Sequence, residues 1–312
     1  MSDERGASGG HDVGGERGLS GGHDVGGEHD ASDEHSAGGG NSAPGGGSAG
    51  GGEFRVYAIQ YARRAALRGE HFHGHDGRAG EPHPTAYYTW LAVSDRHTVV
   101  IDTGISRARA ARIDGLDYLA APAETMAELG VRADAVGHVV LTHLHYDHTG
   151  TARDFGAARY VLQRAELDYW TGPWARRVTR ERWLMDEDDV AHLRAAEKEG
   201  RMDLLDGDAE VVPGLSVHLV GGHTAGMQVV RIRTARGHVV IASDASHFYE
   251  NIEDDRPFPI LHSMTGMYGA FDRINELADG PHLVVAGHDP EVLTRFPPLT
   301  DALTGRVAVI AP

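Results

Sequence analysis

The sequence predicts an α/β protein of the mixed α+β type, and three observations carry that expectation. From Phe54 onward, short apolar runs rich in β-branched and aromatic residues alternate with turn residues, while only two stretches have clear helical character. The apolar runs also end repeatedly in histidine or aspartate. Strands that deliver such residues one after another imply a single site assembled along one edge of a sheet architecture.

The runs FRVYAIQY (54–61), YYTWLAV (87–93) and HTVVIDTG (97–104) read as consecutive strands. PAETMAELG (122–130) reads as a short helix, because proline suits a first helical turn and glycine closes the last one. AVGHVVLT (135–142) is a buried strand, and GLSVHLV, MQVVRIR and HVVIAS are strand candidates in the second half. Met264, Met267, Tyr268, Phe271, Ile274 and Leu277 recur at helical spacing, which predicts an amphipathic helix over 264–279. HLVVAGHD (282–289) is a last buried strand that leads to another histidine.

At 312 residues, 40% of them hydrophobic, the chain can build one large domain or two ordinary ones. A formal charge of −17 disfavours nucleic acid and anionic membranes as partners, since an acidic surface repels both. Cysteine is absent, so any metal must be held by histidine, carboxylate or backbone oxygen. The opening residues carry no apolar signal core and no stretch approaches the ~20 apolar residues of a membrane span, which leads to the expectation of a soluble cytoplasmic protein.

Residues 1–52 stand apart. They hold 19 of the 42 glycines and the direct repeat ERGASGGHDVGG and ERGLSGGHDVGG. Such a segment buries too little apolar surface to offset the entropy of ordering it, so a disordered extension over 1–52 and a folded domain over 53–312 are expected. The histidines of the extension, His11, His23, His29 and His35, leave weak metal scavenging as the sharper alternative.

The 135–142 strand runs straight into THLHYDH (142–148). Alternation in extended chain puts His143 and His145 on one face, about 7 Å apart along the backbone, where they can share one ion. Once the chain turns at Tyr146, Asp147 and His148 can face a second. Zinc takes about four ligands, and a catalytic zinc keeps a position for water, so each half-site needs residues from elsewhere. His223 in GGHTAG, Asp244 in SDAS and His288 in AGHDP follow apolar runs and sit beside small residues that admit close backbone approach.

These residues resemble a known family. H-x-H-x-D-H at 143–148, G-H-T at 222–224, S-D-A-S at 243–246 and G-H at 287–288, with I-D-T-G at 101–104 ahead of them, are similar in identity and order to the metallo-β-lactamase-fold superfamily, across essentially residues 54–290. The resemblance implies an αββα sandwich with two divalent metal ions between its sheets. His143, His145 and His223 would hold the first ion and Asp147, His148 and His288 the second, with Asp244 and a hydroxide bridging them. Asp102 would orient the ligand loops by hydrogen bonds.

Two ions about 3.5–4 Å apart lower the pKa of a bound water to ~7 and polarise an acyl or phosphoryl oxygen, so hydrolysis is the expected chemistry. The donor set suits Zn2+, with manganese, iron or cobalt as substitutes. The missing cysteine excludes the class B β-lactamases that use one at the second metal. Glyoxalase II-type thioesterases and several phosphodiesterases share the ligands. The D-A-S after the bridging aspartate and HFYENIEDDRPFPI (247–260) look most like the quorum-quenching N-acyl-homoserine lactone lactonases. That likeness implies a small acylated lactone as substrate, its ring opened by the metal-bridging hydroxide, with Asp147 shuttling the proton to the leaving oxygen.

Those lactonases commonly place a tyrosine three residues after the bridging aspartate; here that position is His247, with Tyr249 two further on. Either could polarise the lactone carbonyl, so both join Asp147 as catalytic candidates. HTAGM (223–227) departs from the usual H-T-P-G-H but keeps the ligand. Tyr146 is expected at the pocket mouth or packed under the loop. WARRVTRERW (174–183) could be a lid, an arm in a homodimer or a solvated helix face. HFHGHD (71–76) reads as a mobile loop near the mouth, with Phe72 and Trp90 as candidate pocket residues. Rival functions are a glyoxalase II-like thioesterase, another small-lactone or ester hydrolase, and a non-catalytic metal-binding protein.

Overall fold

The computed structural model describes residues 52–312, so the extension expected over 1–52, with its four histidines, lies outside the described residues except for Gly52. The strands are β1 Arg55–Arg64, β2 Thr85–Val93, β3 Thr98–Ile101, β4 Leu116–Tyr118, β5 His138–Val140, β6 Arg159–Gln163, β7 Met202–Leu205, β8 Ala209–Val212, β9 Leu215–Leu219, β10 Gln228–Thr234, β11 Gly237–Ser243, β12 Val284–Ala286 and β13 Val307–Ala311. They form two sheets. One runs β13-β1-β2-β3-β5-β6-β7 with β4 against β1, and the other runs β12-β11-β10-β9-β8.

Register sorts the side chains. Ala58 pairs with Trp90 and Trp90 with Ile101, while Val56 pairs with Ala92 and Ala92 with Val99. Directly opposed residues share a face, and all of these enter one core with Val140 and Val161 from the same sheet and Leu215, Val217, Val230, Ile232, Val239 and Ile241 from the other. The intervening residues point outward. Val100, Val139, Tyr160 and Leu162 meet Met126, Leu167, Trp170 and Leu193 of the helices Pro122–Glu128, Arg164–Thr171 and Glu187–Lys198. Val229, Val240 and Ala242 meet Ala270, Ile274 and Leu277 of the helix Met264–Leu277. The result is four layers, helices–sheet–sheet–helix, which is the αββα sandwich.

The two helices expected from the sequence form with slightly trimmed ends. Pro122 opens the first, and the Ser263 side chain caps the second by accepting from the Gly266 N–H. Trp90 departs from expectation. It is fully buried in the inter-sheet core and does not line the cavity over the polar strand ends, because its register partners put it on the inner face. Among the described residues, no helix is long and apolar enough to cross a membrane.

A buried amide pair fastens the sheets near the site. Gln163 donates to Gln228 Oε1 at 2.9 Å, and Gln228 donates through Nε2 to Leu141 O at 2.8 Å and through its backbone N–H to Thr142 O at 3.0 Å. The end of β5 is thereby held against the start of β10. Ile241, wholly buried between the sheets, tests the contribution of the shared core: Ile241→Ala is expected to cost about 2–5 kcal/mol of unfolding free energy, read from urea melts followed by circular dichroism.

Candidate metal centre

The topology gathers the polar strand ends. β3, β5 and β6 are parallel neighbours, so Asp102 after β3 and the 142–148 loop after β5 emerge at the same edge. β12 runs parallel to β11, which brings His288 beside Asp244, and antiparallel β10 places His223, just before it, at that edge as well. β5 itself ends at Val140; His143 and His145 lie beyond it with buried Leu144 between them, and a single helical turn, Tyr146–Thr149, carries Asp147 and His148.

Asp244 stands at the centre. Its Oδ2 lies 3.8 Å from His143 Nε2 and 3.4 Å from His223 Nε2, and its Oδ1 lies 3.2 Å from His148 Nε2 and 3.1 Å from His288 Nε2. His145 Nδ1 is 3.1 Å from His223 Nε2, and Asp147 Oδ2 is 3.8 Å from both His148 Nε2 and His288 Nε2. Among the described residues, His143, His145, His223 and Asp244 form one donor group, Asp147, His148 and His288 a second, and Asp244, His247 and His288 a third that overlaps both.

The other face of most of these imidazoles is tied down. His148 Nδ1 lies 2.8 Å from Asp102 Oδ2, His223 Nδ1 2.7 Å from Ile260 O, His288 Nδ1 2.8 Å from Ala86 O, and His143 Nδ1 3.0 Å from Thr142 Oγ1. Oxygen partners at Nδ1 keep the proton there and turn the Nε2 lone pair inward, the tautomer that metal ligation requires. Asp102 also accepts from the Thr142 N–H, the Thr142 hydroxyl and the Ser243 hydroxyl at 2.8–3.0 Å. One carboxylate thus joins the ends of β3, β5 and β11.

The residues fit a divalent metal pair. His143 Nε2, His148 Nε2 and Asp244 Oδ1 are buried with no hydrogen-bond partner, a costly state for polar atoms unless a cation completes them. Burial pushes His143 and His145 well below the usual imidazole range and His223 down to about 3, so these three are neutral donors. At His148 and His288 burial is outweighed by the facing carboxylates, Asp244 first, and both are held above the usual value. An ion bound there displaces those protons, so affinity weakens as pH falls.

Glu166, which sequence reading missed, braces this arrangement. It is fully buried and accepts from the Leu144 N–H at 3.0 Å, the Gly226 N–H at 2.8 Å and Trp170 Nε1 at 2.8 Å. It therefore clamps the loop carrying His143 and His145 to the loop carrying His223. No Cβ fits at Gly226, where it would collide with the Glu166 backbone nitrogen.

The centre forms the floor of a cavity of about 410 Å³, walled by Tyr87, Tyr146, Trp183, Leu184, Phe258 and Ile260. Tyr146 is both packed and cavity-facing, as Arg109 stacks 4.4 Å from its ring centroid. From the 174–183 segment, Trp183 overhangs the cavity, whereas Trp174 is exposed away from it. His247 reaches the cavity, but Tyr249 does not: it opens the short helix Tyr249–Glu253 and its ring turns into the inter-sheet core, under Arg295. The 71–76 segment is a loop beside the cavity, as expected from the sequence. Asp76 and Glu250 pair with Arg68 and Arg256, His71 forms part of the cavity wall, and Phe72 is buried under the two guanidinium groups without lining the cavity.

The sequence pattern of the Metallo-beta-lactamase superfamily matches residues 84–288. An N-acyl homoserine lactonase of Bacillus thuringiensis is 31% identical over 165 residues, which are 52% of this chain and 60% of the relative. N-acyl homoserine lactonase AiiB of Agrobacterium fabrum is 27% identical over 183 residues, 57% of this chain and 66% of that one. The chain thus spans about three fifths of the length of the curated Bacillus thuringiensis relative. Among solved structures, a quorum-quenching N-acyl homoserine lactone lactonase superposes with a TM-score of 0.62 at 22% identity, covering 75% of this chain and 92% of that one. AidC, a dizinc quorum-quenching lactonase, gives 0.59 at 16% identity, covering 77% and 88%.

Asp102→Asn replaces an acceptor with an amide whose NH2 confronts donors, and metal affinity is expected to fall about 10–100-fold, read by competition with a chromophoric chelator. Glu166→Gln has one acceptor oxygen for three N–H groups. At least one donor is left unpaired, and urea melts of the metal-free chain should show a loss of about 1–3 kcal/mol.

Proposed function

Because the chain belongs to the metallo-beta-lactamase superfamily, we propose that residues 53–312 form a dinuclear-metal hydrolase that opens the lactone ring of N-acyl-homoserine lactones. The observation that carries this reading is the Asp244 carboxylate, whose two oxygens face two different sets of imidazoles on the floor of an apolar-walled cavity. His143, His145 and His223 would hold one ion, Asp147, His148 and His288 the other, and Asp244 both. Zinc suits such a nitrogen-and-oxygen donor set. When bound, two divalent ions lower the pKa of a water to ~7 and polarise an acyl oxygen.

The protein's own groups supply orientation and proton transfer. The tyrosines, Trp183, Phe258 and Ile260 of the cavity wall take up an acyl chain and keep bulk solvent from the cavity, leaving room for the one water that reacts. Water oxygen bonds to that carbon as the ring C–O bond breaks, and the Asp147 carboxylate carries the proton to the ring oxygen, which leaves as a hydroxyl. Both arginines that line the cavity are already paired, Arg64 with Glu70 and Arg109 with Asp186. Little free positive charge remains for the carboxylates of a glutathione thioester, which favours an uncharged acylated lactone. The lactonase names of the relatives support the same choice.

Purified protein should release acid from acyl-homoserine lactones, lose that activity on chelation and regain it with Zn2+. Turnover of S-lactoylglutathione, a simple ester, a cephalosporin or a phosphodiester without any lactone would overturn the substrate assignment. In Asp147→Asn, kcat should fall far more than KM rises, with metal content measured alongside; wild-type turnover in that variant removes the proton-transfer role.

A further inference from the structure

We infer that His247 is itself a metal ligand, acting through Nε2 in a set with Asp244 and His288. The inference rests on the dinuclear reading above and adds a sixth imidazole to it.

Geometry carries the argument. His247, Asp244 and His288 offer donor atoms that all lie within 4.8 Å of one another. His247 Nε2 stands 2.9 Å from Asp244 Oδ2, yet it is buried and makes no aligned hydrogen bond. It is thus a further inward-facing nitrogen without a partner, in the same state as His143 Nε2 and His148 Nε2. A side chain that polarised a substrate carbonyl would aim its N–H into the cavity. This nitrogen faces the carboxylate oxygen that also faces His223 and His143.

The ring has little freedom to turn away. On one side it packs tilted against Phe258, with centroids 3.5 Å apart; His288 and His223 flank it at 4.9 and 5.1 Å. Its backbone is tied to the opposite loop, since His247 O accepts from the His288 N–H at 2.7 Å and Ser246 O from the Gly287 N–H at 2.9 Å. Those two bonds hold His247 and His288 side by side. The chemistry agrees: a neutral phenol chiefly offers a hydrogen bond, whereas a neutral imidazole offers a lone pair that borderline metals such as zinc and cobalt bind well. The centre becomes richer in nitrogen, and the carbonyl contact that a tyrosine would supply is absent from this position.

The test counts ligands directly. In full-length wild-type chain labelled with 15N-histidine and loaded with 113Cd2+, six imidazoles of the centre, His247 among them, should show nitrogen–cadmium coupling, where absence of coupling at His247 would overturn the inference. Two variants give a second readout in the Co2+-loaded protein. His247→Phe keeps a ring against Phe258, and His247→Gln keeps a hydrogen-bonding group for substrate; both lack the imidazole. Each should lose Co2+ to EDTA about tenfold faster than wild type, with a changed visible spectrum. Unchanged loss rates and spectra, with altered KM or kcat alone, would assign His247 to substrate and overturn the proposal. A wild-type chain that holds one ion rather than two would sink the dinuclear reading, while coupling at His247 itself, identified by its loss in His247→Gln, still decides the inference.

Discussion

The Asp244 carboxylate is buried, has an oxygen with no hydrogen-bond donor, and is surrounded by imidazoles on both sides. Burial would raise this carboxyl, but His288, His247 and His148 outweigh it and hold it well below the usual range. An anion kept charged in such a place has to be compensated, and the imidazoles that surround it mostly present lone pairs in place of protons. A divalent cation resolves that conflict. The rest of the edge can be understood as the means of keeping this carboxylate and its neighbours in position without one.

Those means are strained and closely packed. Asp102 and Ser243 both adopt left-handed backbone, with φ of +56° and +46°, a conformation that costs non-glycine residues on the order of 1 kcal/mol or more. The strain turns each strand end sharply, so that the Ser243 hydroxyl meets the Asp102 carboxylate and Asp244 projects inward. Gly287 permits the approach from the other side, since a Cβ there would lie 2.5 Å from Ser243 O. Behind the site, Glu166 and the Gln163–Gln228 pair tie loops that have no regular secondary structure to rigid elements. Rigidity of this kind keeps a ligand set within the tolerance that metal chemistry demands.

Much of this was legible because it follows from periodicity. The strands around 54–61, 87–93, 228–234 and 237–243 were readable from apolar runs, and the helix at 264–277 from its 3.6-residue repeat, since each buries one face. The seven expected donors converge at one edge because residues that follow strand ends are brought together whenever the strands pair in this topology. Other features left no such trace. The Glu187–Lys198 helix carried a signal in its Asp186 cap and three acidic first-turn residues, but its apolar stripe is thin. Glu166 looks in sequence like any solvated helix residue, and only the meeting of three N–H groups around it reveals a clamp.

The aromatic assignments divide the two levels most clearly. The chain by itself determined the kinds of donor available, their order, and the absence of thiolate, because ligand chemistry is a property of side-chain type. Which side chain faces which space was decided only by the tertiary structure. Trp90 went to the inter-sheet core through strand register, and Tyr249 turned away from the cavity because a helical turn begins at it. His247, two residues earlier, stayed beside Asp244 because its backbone is bonded to the loop that carries His288. Local sequence specifies how a residue can rotate, but the direction in which it points is set by contacts with chain many positions away.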